Sequence, residues 1–319
     1  MCKAITSPIF YMGNKKRLIN KGLIDLFPKE INTLYDVFGG SGVISMNTSA
    51  LSYCINDYSP YIFQFYSLFK QDNASNIIKQ IEANVDKYKL PKEATHRNKF
   101  KDTAKIEEYK KNYKTMVNDY NKTKKTIDLY TLMFFAFSQQ FRFSKQGNFN
   151  MPFGDYFFSD NNKENIVNGC KFFNSEKVEI CNSDFRHILN RVFKKDDFVY
   201  LDPPYFNTTA TYNESNGWTY EQEKDLRQAI EKLNHNGIKF GMSNVFENKD
   251  FVNIDLVKWC VKNNFKAYSV NNFKYSACGK SNSKTLEVYI CNYDVGISNE
   301  NFIELDLDKI IKEFENQVA

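Results

Sequence analysis

Short apolar runs that stop abruptly on polar or acidic residues alternate along this chain with longer stretches in which apolar residues recur every three or four positions. The first pattern predicts strands buried in a parallel sheet, and the second predicts amphipathic helices. Thr33 to Val37 runs as a strand into the turn Gly39-Gly40-Ser41-Gly42, with a helix expected from Val43 to about Leu51. Tyr53 to Asp57, Val178 to Asp184 and Phe198 to Asp202 each read as a strand ending on an acid. Ile238 to Met242 is a further strand that ends on Ser243-Asn244, and Phe265 to Val270 and Thr285 to Tyr293 are closing strands around the polar loop Lys274 to Lys284. Helical spacing appears at Leu18, Ile19, Leu23, Ile24 and Phe27 before Pro28. It returns between Tyr61 and about Lys89, from Ile127 to Phe137, and at Ile188 and Val192. Thr219 with Gln222 makes a capping box for a helix through Leu226, Ile230 and Leu233 to Gly237, and the tail from Asn301 to Ala319 reads as an amphipathic helix. Strand and helix thus alternate, interrupted once by a helical insertion and closed by antiparallel strands, which predicts an α/β fold.

Composition narrows the class. The 319 residues, 42% of them apolar, suffice for one large α/β domain or two domains. No run of about 18 apolar residues occurs, and Met1 to Tyr11 lacks the apolar core of a signal peptide, so a cytoplasmic protein without membrane contact is expected. Seven cysteines form no Cys-x-x-Cys pair and three histidines are scattered, a pattern that predicts neither a metal site nor a disulfide framework. The net charge of +5 is concentrated: residues 91 to 125 carry 11 lysines and arginines against five acids. Tyr109, Tyr113 and Tyr120 lie within that block, which can grip a phosphate backbone or form a solvated lysine-rich helix face.

The strand ends carry the candidate chemistry. In Asp202-Pro203-Pro204-Tyr205 two prolines fix φ and remove two N–H groups, leaving carbonyls without local competition. The Asp202 carboxylate and the Pro203 carbonyl can each accept an N–H of an exocyclic amino group while Tyr205 stacks on its ring. A plain proline turn is the alternative. The Gly39 to Gly42 turn suits close backbone approach to a nucleotide-like cofactor. The dinucleotide fingerprint is broken at Ser45, and no phosphate-loop Gly-Lys-Ser/Thr follows. Asp57 is placed to take the hydroxyls of a ribose or to cap the helix after Ser59-Pro60. Tyr11-Met12-Gly13-Asn14-Lys15 offers a flat face and a cation at a helix start. From Phe141 to Gly154 aromatic and polar residues alternate around Gly147, which reads as a hairpin. Its Arg142, Ser144, Lys145, Gln146 and Asn148 are side-chain types that contact bases and phosphates.

These motifs, in this order, resemble the Dam-like, alpha-group (D12 class) DNA adenine-N6 methyltransferases. Tyr11 to Lys15 looks like the N-terminal cofactor motif, Asp36 to Gly42 like the glycine-rich one, Asp57 like the ribose acid and Asp202 to Tyr205 like the catalytic tetrapeptide. Arg142 to Gly154 looks like the DNA-reading hairpin. The resemblance implies a Rossmann-like sheet with helices on both faces and an antiparallel C-terminal strand. It implies a discontinuous catalytic domain at 1–69 and 156–319, and a mostly helical DNA-recognition domain at 70–155 that ends in the hairpin. It implies S-adenosylmethionine as methyl donor, S-adenosylhomocysteine as product and no metal. Tyr11, Lys15, Asp36, Phe38, Gly40, Ser41, Gly42, Asp57, Asp184 and Asp202 would hold the donor, and Asp202, Pro203, Pro204 and Tyr205 a flipped adenine. Arg142, Ser144, Lys145, Gln146, Asn148 and Asn150 would meet double-stranded DNA. The protein would act as a monomer or weak dimer, beside a cognate restriction endonuclease. One departure bears on specificity: many GATC-specific members carry arginine before the hairpin glycine and a nearby asparagine, where this chain has Gln146 and Ser144. The residues alone leave open an N4-cytosine or RNA amino-methyltransferase, or a non-catalytic DNA-binding protein on the same fold; a nicotinamide oxidoreductase fits less well.

Overall fold

The computed structural model describes residues 4–93, 103–205, 218–248, 251–270, 285–296 and 301–318. The expected loop at 274–284, the polar stretch 206–217 and part of the basic block, 94–102, lie outside the described residues. In chain order the elements begin with α1 (Lys16–Ile19), β1 (Thr33–Asp36), α2 (Val43–Asn47), β2 (Ser52–Asn56), α3 (Pro60–Gln71) and α4 (Ala74–Lys87). The insertion supplies α5 (Thr103–Thr123) and α6 (Thr126–Phe135), and α7 (Asp160–Phe173) leads to β3 (Val178–Cys181), α8 (Phe185–Leu189) and β4 (Phe198–Leu201). The chain closes with α9 (Tyr220–His235), β5 (Lys239–Asn248), β6 (Phe251–Val252), α10 (Ile254–Lys262), β7 (Lys266–Val270), β8 (Thr285–Cys291), β9 (Phe302–Glu304) and α11 (Leu307–Val318).

Among the described residues the strands form one sheet in the order β3-β2-β1-β4-β5-β8-β7-β9, with β6 paired to β5. From β3 to β5 all pairings are parallel, and β8, β7 and β9 add antiparallel. The continuous apolar run of β4 is explained by its central place: all four of its residues are fully buried. Each such side chain contributes roughly 1.5–3 kcal/mol by leaving water. The chain leaves β1 toward β2 on one side and returns as β4 on the other, so the carboxyl ends of β1 and β4 flank the point where strand order reverses. In sheets of this kind that crevice is where ligands bind.

Three apolar clusters fill the two faces. One packs α8, α9, α10 and α11 against β4, β5, β7 and β8, and a second gathers the N-terminal turn around Phe198, Tyr200 and Tyr289. The third runs from Met46 and Ile55 through α3, α4, α5 and α6 to Phe141, Phe149 and Met151, and on into α7 and Val178 of β3. The basic block accordingly separates by face. Tyr113 and Tyr120 are buried in this third cluster, while Lys105, Lys110, Lys111 and Lys114 are exposed, so these two tyrosines serve the core and the lysines form the solvated face.

Several elements differ from the sequence expectation for local reasons. The first helical stretch is divided at Gly22, whose φ of 98° separates α1 from a 3-10 turn at Leu23–Leu26. α2 ends at Asn47, short of Leu51, where the Thr48 hydroxyl bonds back to the Ile44 carbonyl. The Tyr61 to Lys89 stretch is two helices, because the Asn73 side chain accepts the Asn76 N–H and starts a new one. α8 stops at Leu189 and leaves Val192 90% exposed. β5 continues past Met242 to Asn248 because β8 pairs along it. The tail forms β9 before α11. The expected hairpin with its tight turn is short: the Phe143↔Phe149 bridge and the bonds from the Ser144 N–H to the Asn148 carbonyl and from the Asn150 N–H to the Arg142 carbonyl join its arms.

Candidate functional site

The crevice holds a cavity of about 770 Å³. Its wall includes Tyr11, Lys15, Asp36, Phe38, Gly40, Ser41, Asp57, Asp184, Asp202, Pro203, Pro204 and Tyr205. Of the residues expected to hold a donor only Gly42 is off this wall; it stands at the start of α2. Residues from Tyr11 to Tyr205 in sequence therefore converge at one sheet edge.

The glycine turn is shaped by close approach. A Cβ on Gly39 would lie 2.7 Å from the Ile55 side chain, and one on Gly40 would lie 3.0 Å from the Tyr11 ring. Gly40 also has φ +51°. Its N–H donates to Asp57 Oδ2 at 2.8 Å, and the Ser59 N–H donates to Asp57 Oδ1 at 2.8 Å. Asn56 ties this edge together: its side-chain amide donates to the carbonyls of Val37 (2.9 Å) and Ser183 (3.0 Å), and its Oδ1 accepts the Ser183 N–H. Asp184 caps α8 through the Arg186 N–H and pairs with the Arg186 guanidinium at 2.9 Å.

Lys15 is the hub. Its Nζ lies 2.9 Å from Asp202 Oδ1 and 3.4 Å from Glu287 Oε1. It donates to the Tyr205 hydroxyl at 2.9 Å and to the Gly13 carbonyl at 3.3 Å. The Tyr205 hydroxyl is in turn 3.3 Å from Asp202 Oδ1 and 3.3 Å from Glu287 Oε1. Burial alone would favour neutral Lys15, but Asp202 and Glu287 overcome it and hold the ammonium well above its ordinary value. Burial raises Asp202 above the usual carboxylate range and Lys15 opposes the shift. Burial pushes Asp36 up to about 7, with the Ser45 hydroxyl, 2.8 Å away, pulling the other way. Both hydrogen-bonding contacts of Asp202 fall on Oδ1, so Oδ2 makes none among the described residues.

Sequence reasoning missed four contributors. Phe185 and Trp218 stand with Phe38 on the cavity wall, their ring centroids 5.4 to 5.9 Å apart, as an aromatic wall suited to a flat ring. Asn56 and Glu287 are the others. Phe185 follows the strand-end acid directly, which is a usable signal; Trp218, Asn56 and Glu287 have none that is local.

The turn residues divide in two. Arg142 bonds Asn150 through both its side chain and its carbonyl, and Ser144 Oγ accepts the N–H groups of Gln146 and Asn148. Lys124 donates to the Gly147 carbonyl at 2.7 Å and to Asn148 Oδ1 at 3.2 Å. The exposed side chains of Lys145 and Gln146 make no hydrogen bond among the described residues. None of the six lines the cavity, but Gln140 and Phe141 do, as does Tyr61, which stacks on Phe143 at 3.7 Å and 7°.

Away from the cavity, Cys54, Glu179 and Cys181 bring metal-ligating atoms within 4.8 Å of one another. The Arg191 guanidinium donates to both sulfurs at 3.3 Å and to the two carboxylate oxygens at 3.0 and 2.9 Å. The trio is thus gathered around a cation that the chain itself provides. The five described cysteines are free thiols, and no described helix is long and apolar enough to cross a membrane.

The family model of the D12 class N6 adenine-specific DNA methyltransferases matches residues 11–275. The type II methyltransferase M.FokI of Planomicrobium okeanokoites is 31% identical over 299 residues, covering 91% of this chain and 43% of that protein. The modification methylase StsI of Streptococcus sanguinis is 32% identical over 304 residues, covering 93% and 44%. A DNA adenine methylase of Vibrio cholerae is 26% identical over 227 residues, covering 67% and 73%. This chain spans less than half the length of the first two relatives.

Proposed function

The chain belongs to the D12 class N6 adenine-specific DNA methyltransferases, and on that premise we propose that it transfers a methyl group from S-adenosylmethionine to the N6 amino group of an adenine flipped out of duplex DNA. The observation that carries this reading is the buried Lys15, Asp202 and Tyr205 network facing a cavity of about 770 Å³. That volume, the glycine cradle, the aromatic wall and the acidic lining fit an adenosyl group bearing a cationic centre.

S-adenosylmethionine supplies an activated methyl on a sulfonium. The chain's part is to bind, align and exclude water. Phe38, Phe185 and Trp218 clasp a flat ring, Asp57 takes ribose hydroxyls, and Tyr11 and Lys15 close the N-terminal side. Asp202 Oδ2 and the Pro203 carbonyl accept the two N–H bonds of the target amino group, and Tyr205 stacks on its base. These acceptors are fixed before substrate arrives, so they align the weak nitrogen nucleophile without reorganisation. Asp202, already raised by burial, is placed to take the proton that the amino group sheds. Residues 70–155 present the DNA-reading surface and residues 1–69 with 156–319 carry the chemistry. Lys145 and Gln146 are the turn side chains that meet DNA, and Arg142, Ser144, Asn148 and Asn150 hold the turn in shape. The relatives named as a type II methyltransferase and a modification methylase support a place beside a separate restriction endonuclease.

The test is to incubate the purified chain with methyl-labelled S-adenosylmethionine and unmethylated duplex DNA, then resolve the nucleosides. N6-methyladenine is expected. N4-methylcytosine, label in RNA alone, or no label would overturn the assignment. Expression in a host without adenine methylation, followed by genome-wide mapping of modified bases, gives the recognition site.

A further inference from the structure

Glu287 is a second carboxylate where one would suffice. It lies on β8 and is not part of the cavity wall. Its side chain is 13% exposed, and its Oε1 is 3.4 Å from Lys15 Nζ and 3.3 Å from the Tyr205 hydroxyl. Asp202 already pairs with the same ammonium at 2.9 Å. One ammonium shared by two carboxylates leaves a formal charge of −1 in a place from which water is largely excluded. Lys15 has a side-chain exposure of only 7%. An unbalanced buried charge is costly, and a purely structural ion pair gains nothing from it. A cation arriving from outside would balance that excess.

The donor of the proposed reaction is such a cation, and its product is not. S-adenosylmethionine carries a positive sulfonium; loss of the methyl group leaves a neutral thioether. We propose, resting on that reading of the site, that Glu287 is a specificity-determining residue: its charge makes the Lys15 and Asp202 pair net negative, and so favours the sulfonium donor over the neutral product. Because the group acts through the field and not by contact, it discriminates between two ligands of nearly identical shape. Binding then weakens once the methyl has left, which aids product release.

The experiment compares affinities for S-adenosylmethionine and S-adenosylhomocysteine by calorimetry on the full chain, as wild type, Glu287→Gln and Glu287→Asp, with thermal melting as the check on folding. In Glu287→Gln the ratio of donor to product affinity should fall about tenfold, mostly through loss of donor binding. An equal loss for both ligands, or an unchanged ratio, would overturn the proposal and leave Glu287 a structural partner of Lys15. Glu287→Asp keeps the charge, so its ratio should stay within about twofold of wild type. It is the variant to read if Glu287→Gln does not fold: a tenfold fall there would overturn the proposal by showing that the side chain's contacts, not its charge, set the ratio. A wild type that binds neither ligand would overturn the proposed function itself, whereas one that binds both, with a ratio indifferent to residue 287, would overturn only this role.

Discussion

The floor of the cavity and the tip of the turn at 142–150 both set polar side chains among aromatic rings, but they hold them differently. Lys15, Asp202, Tyr205 and Glu287 hold one another in a largely buried network, reached from three separate parts of the chain. Lys145 and Gln146 project, without side-chain hydrogen bonds among the described residues, from a turn that is held by bonds within it and by Asn121 and Lys124. The first arrangement fixes acceptors in advance and makes each member depend on the others. The second leaves side chains loose enough to be exchanged one at a time. Under the proposed function, the first arrangement serves the chemistry and the second the reading of DNA.

The contrast predicts where substitutions will be felt. Asp202→Ala should lower methyl transfer by about 10²–10³-fold, since a fixed acceptor is lost at the reacting group. Lys15 keeps Glu287 as a partner, so the variant should still fold. A purified variant with near-normal turnover would contradict the role. Gln146→Ala should shift sequence preference by about 1–3 kcal/mol at one base position while the salt dependence stays constant. Lys145→Ala should weaken binding to all sequences and reduce the salt slope by about 1. Competition binding across salt concentrations separates the two, and the reverse pattern would exchange their roles. Phe143→Ala removes the ring that stacks on Tyr61 and should cost about 1–2 kcal/mol in urea unfolding. It should leave donor affinity near wild type; a large donor loss would show that turn and cavity are one unit.

The last prediction concerns Asp36. Its acid is held up to about 7, mainly by burial, against an ordinary 3.8, so the folded chain binds this proton more tightly than the unfolded chain. The group carries no penalty below about pH 3.8; the penalty accumulates above that and is complete once pH has passed about 7. Asp36→Asn keeps an acceptor for the Ser45 hydroxyl and removes the charge. It should melt higher than wild type at pH 8, with a smaller advantage at pH 5. An advantage that is equal at both values would show that Asp36 stays ionised.

Which features were legible in the sequence follows from how each is built. The fully buried β4 and the positive-φ turn after β1 leave local marks, an unbroken apolar run and paired glycines, so both strand ends could be found without the fold. The lengths of α2 and α8, the division at Asn73 and the extension of β5 depend on single capping bonds or on a pairing strand distant in sequence. Glu287 and Asn56 were invisible for the same reason. An acid in the middle of Leu286-Glu287-Val288 looks like any solvent-facing strand residue until Lys15, 272 positions earlier, is folded against it. The six polar residues of the turn could not be sorted by type, because the division between holding and projecting is set by which of them bond to one another.

The apolar cluster that runs from β2 and β3 through α3, α4, α5, α6 and α7 to the turn has no seam. The helical block is therefore a poor cassette: exchanging it whole between relatives would tear out part of the interior that covers β2 and β3. What can be traded are the projecting side chains of Lys145 and Gln146. Under the proposed function, a chain designed to read a new site should be altered first at these solvent-facing positions, not by exchange of the whole block.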